Sequence, residues 1–358
     1  ERLAFATGAA RRTGDVYVWN VRAGGLEQLN DTTEGEWAPA WSPDGRRLAY
    51  FRDGSAGGVE VCVVEVDSKT PQLLATLEWA GAAPVWSPDG EKIAWFSDES
   101  GEYQLMIADQ YGQNKKSFEL KDPTFYYTPA WSPDSKYLSF ADEGRNLYIF
   151  DIEKGKQTYI DDEGYANPGR TIYPEWSKDS KWIAYTRQLD NQYNAIFLYS
   201  VDKGKSYQIT DSMADCKSPA WDASGKYIYF LSSTNYALNV GWLDMSSIQR
   251  PLERNIYAVI LSDEEPSPFL PESDDEEIKK DEENEDEEPE EEELIDVDLK
   301  NISQRIIALD IPAANYRNLQ AGEEGKVYFM REPGPTSSLR PGNNQPPLMM
   351  YDINEKET

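Results

Sequence analysis

APAWSPDGRRLAYF at residues 38–51 returns as APVWSPDGEKIAWF at 83–96, TPAWSPDSKYLSF at 128–140, YPEWSKDSKWIAY at 173–185 and SPAWDASGKYIYF at 218–230. Its tryptophan falls on Trp41, Trp86, Trp131, Trp176 and Trp221, 45 residues apart each time. A period of that length, made of short apolar runs and turn residues, marks one supersecondary unit used repeatedly. Such a unit cannot bury its apolar face alone and must stack on a neighbour. The turn chemistry is explicit in Ser42-Pro43-Asp44-Gly45: proline presets φ, aspartate bonds back to the backbone and glycine closes a type I turn between antiparallel strands.

Around that turn each repeat resolves into four strands, in the second repeat Ala38–Trp41, Arg46–Phe51, Val59–Val66 and Gln72–Leu77. The third strand, VEVCVVEV from Val59, is apolar on both faces, as are LYIFDI from Leu147 and AIFLYSV from Ala195. Sheets covered on both sides by neighbouring sheets produce that pattern, whereas a sandwich strand alternates. The predicted fold class is therefore all-β, a β-propeller of seven blades with four antiparallel strands each. The predicted blades span about 1–36, 37–81, 82–126, 127–171, 172–216, 217–262 and 294–358, with an acidic insertion at 263–293 in the last. The whole of 1–358 then forms one propeller, and the five tryptophans serve as packing anchors between consecutive blades, where a large flat ring buries most area. The first blade shows strands at Leu3–Ala6, Asp15–Val21 and Leu26–Leu29 but no leading strand, and the chain stops at Thr358 where another should begin. Both ends suggest a piece of a longer protein.

The formal charge of −30 is uneven. Glu272–Glu293 carries 16 acidic residues against Lys279 and Lys280; removing that run's −14 leaves −16 on the rest. Such a run is too polar to bury a core and is expected to be a solvated loop. An acidic body is a poor partner for a phosphate backbone, so nucleic-acid binding is not expected. No apolar run approaches the roughly 18 residues of a membrane-spanning helix. Cys62 and Cys216 lie in different repeats without metal-like spacing and are expected to be buried thiols.

Reactive constellations are missing. The chain has no histidine, which removes a Ser-His-Asp triad, a Cys-His pair and an HExxH zinc site from its repertoire. Asp53-Gly54-Ser55-Ala56-Gly57 lacks the leading glycine of a nucleophile elbow, and no glycine-rich phosphate loop opens a helix. A Ser-Lys dyad survives that test but has no supporting motif. Asp98 with Glu99, Asp161 with Asp162, and Asp211 with Asp215 read as solvated loop charge, without calcium-loop spacing. Tyr126, Tyr127, Trp182 and Tyr193 are assigned to strand and blade packing rather than to sugar stacking. No catalytic, cofactor-binding or metal-ligating residue is predicted.

The PxWSPDG repeat resembles TolB-type periplasmic proteins, the propellers of prolyl oligopeptidase relatives and tricorn-type serine peptidases. More specific stretches lie outside it: SDESGEYQL from Ser97, DASGKYIYFLSSTN from Asp222, YAVILSDEEPSPFLPESDDEE from Tyr257 and ISQRIIALDIPAANYRNLQAGEEGKVYF from Ile302. Together they are similar to the second propeller of bacterial tricorn-type proteases over roughly Ala83–Thr358, while 1–82 match only the general repeat. The resemblance implies a non-catalytic propeller that gates or guides unfolded peptides to a protease core following Thr358, in a parent that is a serine endopeptidase. It also implies peptide or unfolded-protein partners, assembly into a homo-oligomer and a bacterial source, periplasmic or cytoplasmic. A TolB-like protein-binding module without enzymatic activity is the alternative. A recombined scaffold is a third reading, kept open because residues 1–90 hold seven Arg against the single Lys69, and later repeats favour Lys.

Overall fold

A computed structural model describes residues 2–7, 14–30, 32–79, 81–164, 172–235, 253–270, 294–332 and 346–357. The chain is all-β, of the seven-bladed β-propeller class, and its seven antiparallel sheets follow one another in sequence. It divides into two compact units, residues 1–174 and 175–358.

The first unit holds four sheets. They are β1 (Arg2–Ala6), β2 (Val16–Asn20) and β3 (Gly25–Gln28); β4 (Glu36–Trp41), β5 (Arg47–Asp53), β6 (Val59–Glu65) and β7 (Pro71–Leu77); β8 (Val85–Trp86), β9 (Lys92–Ser97), β10 (Gln104–Asp109) and β11 (Lys116–Glu119); and β12 (Tyr126–Trp131), β13 (Tyr137–Asp142), β14 (Asn146–Asp151) and β15 (Lys156–Asp162). The second holds β16 (Glu175–Trp176), β17 (Trp182–Gln188), β18 (Asn194–Ser200) and β19 (Lys205–Gln208); β20 (Asp215–Trp221), β21 (Tyr227–Ser233), β22 (Asn255–Ile260) and β23 (Ile306–Ala308); and β24 (Tyr316–Ala321), β25 (Lys326–Arg331) and β26 (Leu348–Asp352). Among the described residues the one helical piece with assigned bounds is a 3₁₀ turn at Ile302–Arg305.

The two-faced apolar strands have a direct explanation within each unit. In β5, Leu48 and Tyr50 pack with Val16 and Val18 of the first sheet, while Ala49 and Phe51 pack with Ile93 and Trp95 of the third. In β9, Ile93 and Trp95 face back to the second sheet and Ala94 and Phe96 face the fourth. Likewise Ile228 and Phe230 of β21 join the core shared with the fifth sheet, and Tyr229 and Leu231 the core shared with the seventh. Burying each of the larger aliphatic and phenyl side chains among them contributes about 1.5–3 kcal/mol. Period-2 alternation thus distributes one strand over two cores, so no polar face is left.

The last two sheets differ from the predicted blade limits. RIIALDI does not open the seventh sheet: Ile306, Ile307 and Ala308 pair with Val259, Ala258 and Tyr257 of β22. The acidic run therefore falls between the third and fourth strands of the sixth sheet, and its residues 271–293 lie outside the described ones. The returning chain is tied down locally. Ile295, Val297 and Leu299 pack on the core of the fifth and sixth sheets, Ile295 N–H donates to Asp179 Oδ2 at 3.0 Å, and the Arg305 guanidinium donates to the carbonyls of Ile260 and Leu261. The seventh sheet starts at Tyr316 with NYRNLQA, and Phe269 of the PSPF segment packs against its core.

Candidate functional site at the leading strands

The leading strand of each repeat carries the signature, and three local devices shape it. The first is the turn. Ser42 Oγ donates to Asp44 Oδ1 at 2.6 Å and accepts from Arg47 N–H at 2.9 Å, while Asp44 Oδ1 accepts from Arg46 N–H at 3.0 Å. Ser132 with Asp134 and Ser177 with Asp179 repeat this. The Ser42 hydroxyl holds the Asp44 carboxyl below its ordinary value.

The second device is a bulge. Register slips in β4 between Trp37 and Ala40, in β12 between Tyr127 and Ala130, in β20 between Lys217 and Ala220, and in β24 between Arg317 and Gln320. Ala38, Thr128, Ser218 and Asn318 sit at these slips with φ of 55°, 52°, 57° and 52°. A left-handed residue with a Cβ costs on the order of 1–2 kcal/mol. Its recurrence at one position of four sheets marks a built feature, and the following Pro39, Pro129 and Pro219 are tolerated because a bulge leaves a residue unpaired.

The third device is the indole. Trp86 Nε1–H donates to the Ala40 carbonyl at 3.2 Å, Trp131 to Val85 at 3.3 Å and Trp221 to Glu175 at 2.9 Å. Each acceptor is the residue just before the preceding anchor. Trp86 and Trp131 are buried within the cores joining their own sheet to the one before. Trp41 and Trp221 are half-buried against the equivalent cores, and Trp176 is half-buried.

Other sequence-predicted groups sort clearly. Cys62 and Cys216 are buried free thiols, and burial pushes Cys62 up to about 11. Tyr126 and Trp182 are buried in cores, while Tyr127 and Tyr193 are half-buried. Asp98 accepts from the backbone N–H groups of Glu78 and Trp79. Asp211 accepts from Met213 N–H. Asp215 overturns its expectation of solvated loop charge: it lies fully buried at the start of β20 and accepts from the Asn194 backbone and side-chain N–H groups. Asp161 is buried as well and accepts from Asp162 N–H. Glu36 begins β4 in the same way as Asp215 begins β20, with Asn30 Nδ2 donating to Oε1 at 2.9 Å, and burial raises its carboxyl pKa. Among the described residues no group of three or more metal-capable side chains is brought together.

One feature had no periodic signal. Three residues of the first unit that lie ahead of leading strands expose large apolar side chains: Trp79 before β8 is 66% accessible, Phe125 before β12 42% and Tyr173 before β16 63%. In the second unit Met213, 77% accessible, lies ahead of the leading strand β20. Asp98 fixes the Trp79 backbone, and the Phe125 ring rests 5.1 Å from Tyr103. The Trp79 backbone and the Phe125 ring are thus held in place, and all four side chains present apolar surface to solvent.

Residues 83–358 match the family model described as the tricorn protease second beta propeller domain. A crystal structure of the tricorn protease is similar at TM-score 0.55 and 16% identity, covering 99% of this chain and 38% of that one. Porphyromonas gingivalis dipeptidyl peptidase 4 is similar at TM-score 0.60 and 16% identity, covering 99% and 50%. A prolyl endopeptidase structure follows at TM-score 0.58 and 13% identity, covering 99% and 47%. The chain thus spans well under two thirds of each, and identities this low speak for the fold alone. No curated protein sequence matches it.

Proposed function

Because the chain belongs to the family of the tricorn protease second β-propeller, we propose that it is the non-catalytic propeller of a tricorn-like serine peptidase. In that role it guides unfolded peptide toward a protease core borne elsewhere in the parent protein. Residues 1–358 act as one propeller, the five indoles are structural anchors rather than recognition groups, and the parent assembles as a homo-oligomer.

The observation that carries the reading is the set of exposed apolar side chains on the loops entering the leading strands, Trp79, Phe125 and Tyr173. Folded partners hide their apolar residues, whereas an unfolded chain offers them at irregular spacing. Separated aromatic contacts on fixed loops suit the second kind of partner. The absence of histidine from the sequence fits a guiding rather than a cleaving role.

The test is binding of a fluorescently labelled, chemically unfolded protein to the purified chain. Replacing Trp79 and Tyr173 together with alanine is expected to weaken binding about ten-fold, since two ring contacts are worth roughly 1.4 kcal/mol. The chain itself is expected to leave the substrate uncut. Unchanged affinity in the double variant, or hydrolysis by the purified chain, rejects the reading.

A further inference from the structure

The loop after β10 fills a place that the loop after β14 leaves open. Six residues, 110–115, join β10 to β11 and lean on the second sheet. Arg47 Nη1 donates to the Gln110 carbonyl at 3.2 Å and to Gln110 Oε1 at 2.9 Å, and the Arg47 guanidinium carbon lies 4.6 Å from the centre of the Tyr111 ring. Gln72 Nε2 donates to the Tyr111 carbonyl at 2.5 Å. The chain thus supplies its own aromatic residue here, with a cation on the ring and a donor on the carbonyl.

One sheet further on, the same positions have no such occupant. Lys92 stands where Arg47 does, opening β9 opposite Asp109 as Arg47 opens β5 opposite Glu65. Lys116 stands where Gln72 does: Gln72 faces Val63 and Lys116 faces Ile107, the partners of Ala49 and Ala94. The loop after β14 has only four residues, 152–155, and Ile152 takes the place of Gln110, its N–H donating to the Lys136 carbonyl as that of Gln110 donates to the Glu91 carbonyl. An isoleucine side chain offers Lys92 no acceptor. Lys92 Nζ is left with Asp89 of its own turn, at 3.4 Å, and the Lys116 ammonium has no partner among the described residues. A cavity of about 260 Å³ results, walled by Ile107, Phe118 and Ile152 and lined also by Lys92 and Lys116. Roughly 150 Å³ suffices for a benzene ring, so an aromatic side chain with its peptide group fits.

We propose that this cavity between the third and fourth sheets binds one aromatic residue of an extended peptide, in the manner in which the second sheet holds Tyr111. The ring lies against Ile107, Phe118 and Ile152 with the Lys92 ammonium near its face, and the main-chain carbonyl of the same residue accepts from Lys116 Nζ. The inference rests on the peptide-guiding reading for the source of its ligand, but the site uses neither Trp79 nor Tyr173.

The probe is N-acetyl-tyrosine amide, added to the full chain with its isoleucine δ1 methyls labelled with ¹³C. Saturable shifts of the Ile107 and Ile152 methyls are expected, with a Kd of about 1 mM. N-acetyl-alanine amide is expected to bind about ten-fold more weakly, because the ring contacts are gone. Lys116→Met, which keeps the apolar stem and removes the donor, is expected to weaken the tyrosine probe about five-fold. The Trp79→Ala/Tyr173→Ala variant is expected to bind the probe unchanged, so a chain that binds the probe here but no unfolded protein sinks the guiding reading and leaves this site standing. No saturation below about 10 mM, shifts that spare Ile107 and Ile152, equal binding of the alanine probe, or unchanged affinity in Lys116→Met overturns the proposal.

Discussion

Trp131→Ala is expected to cost about 3–5 kcal/mol of folding stability, the range for emptying a buried aromatic site. The ring is 7% accessible and lies among Phe96, Ile107, Leu138 and Phe140, residues of two consecutive sheets. Losing it opens a cavity that neither sheet fills alone, because each is held by its own ladder. It also strips the Val85 carbonyl of its indole donor. Trp131→Phe keeps most of the volume and loses the N–H, and is expected to cost about 1–2 kcal/mol. Trp79→Ala is the control: at 66% accessible it is expected to change stability by less than about 0.5 kcal/mol. Urea unfolding followed by far-ultraviolet circular dichroism orders the three variants. Equal midpoints for Trp131→Ala and Trp79→Ala would remove the anchor role.

Asp222→Ala is the second large effect, expected at about 2–4 kcal/mol. Asp222 takes the place of the serine in the SPDG turn and is buried. Its Oδ1 accepts from the Tyr229 hydroxyl at 3.0 Å and from Gly325 N–H at 2.9 Å, and its Oδ2 from Ser224 N–H at 2.9 Å. One carboxylate therefore holds its own turn and links the sixth sheet to the seventh. Alanine leaves a buried hydroxyl and a buried backbone N–H without an acceptor, the situation in which a lost hydrogen bond costs most. Asp222→Asn keeps an acceptor oxygen and is expected to recover more than half of the loss. If alanine and asparagine destabilise equally, the carboxylate matters through charge and not through these bonds.

Much of the architecture was legible because the repeat is long and its chemistry local. The 45-residue period gave the strand order, and alternation on both faces of VEVCVVEV gave sheets packed on two sides. Both depend on contacts between near neighbours in sequence. The fourth strand of the sixth sheet was misplaced for a physical reason. An insertion between the third and fourth strands breaks the period, and a short apolar run such as RIIALDI does not state which edge it joins. The bulges were invisible because Ala38, Thr128, Ser218 and Asn318 share no side-chain chemistry, and a residue before proline ordinarily reads as extended. Asp215 and Glu36 look like any loop carboxylate until tertiary packing buries them beside Asn194 and Asn30. The exposed Trp79, Phe125 and Tyr173 stand at unequal distances from their anchors, so no periodicity announces them. The drift from Ser to Asp at position 222 was visible; its link to Gly325 was not.

The central claim is that the indoles of Trp86, Trp131 and Trp221 each join their sheet to the one before through a hydrogen bond as well as by packing. Indole N–H exchange in a sample labelled with ¹⁵N at tryptophan measures it directly, with exposed Trp79 as the internal reference. The indole protons of Trp86, Trp131 and Trp221 are expected to exchange far more slowly than that of Trp79, with Trp41, whose buried Nε1–H has no hydrogen-bond partner among the described residues, in between. Exchange of all the indoles at the Trp79 rate, or equal protection of Trp41 and Trp131, would contradict it.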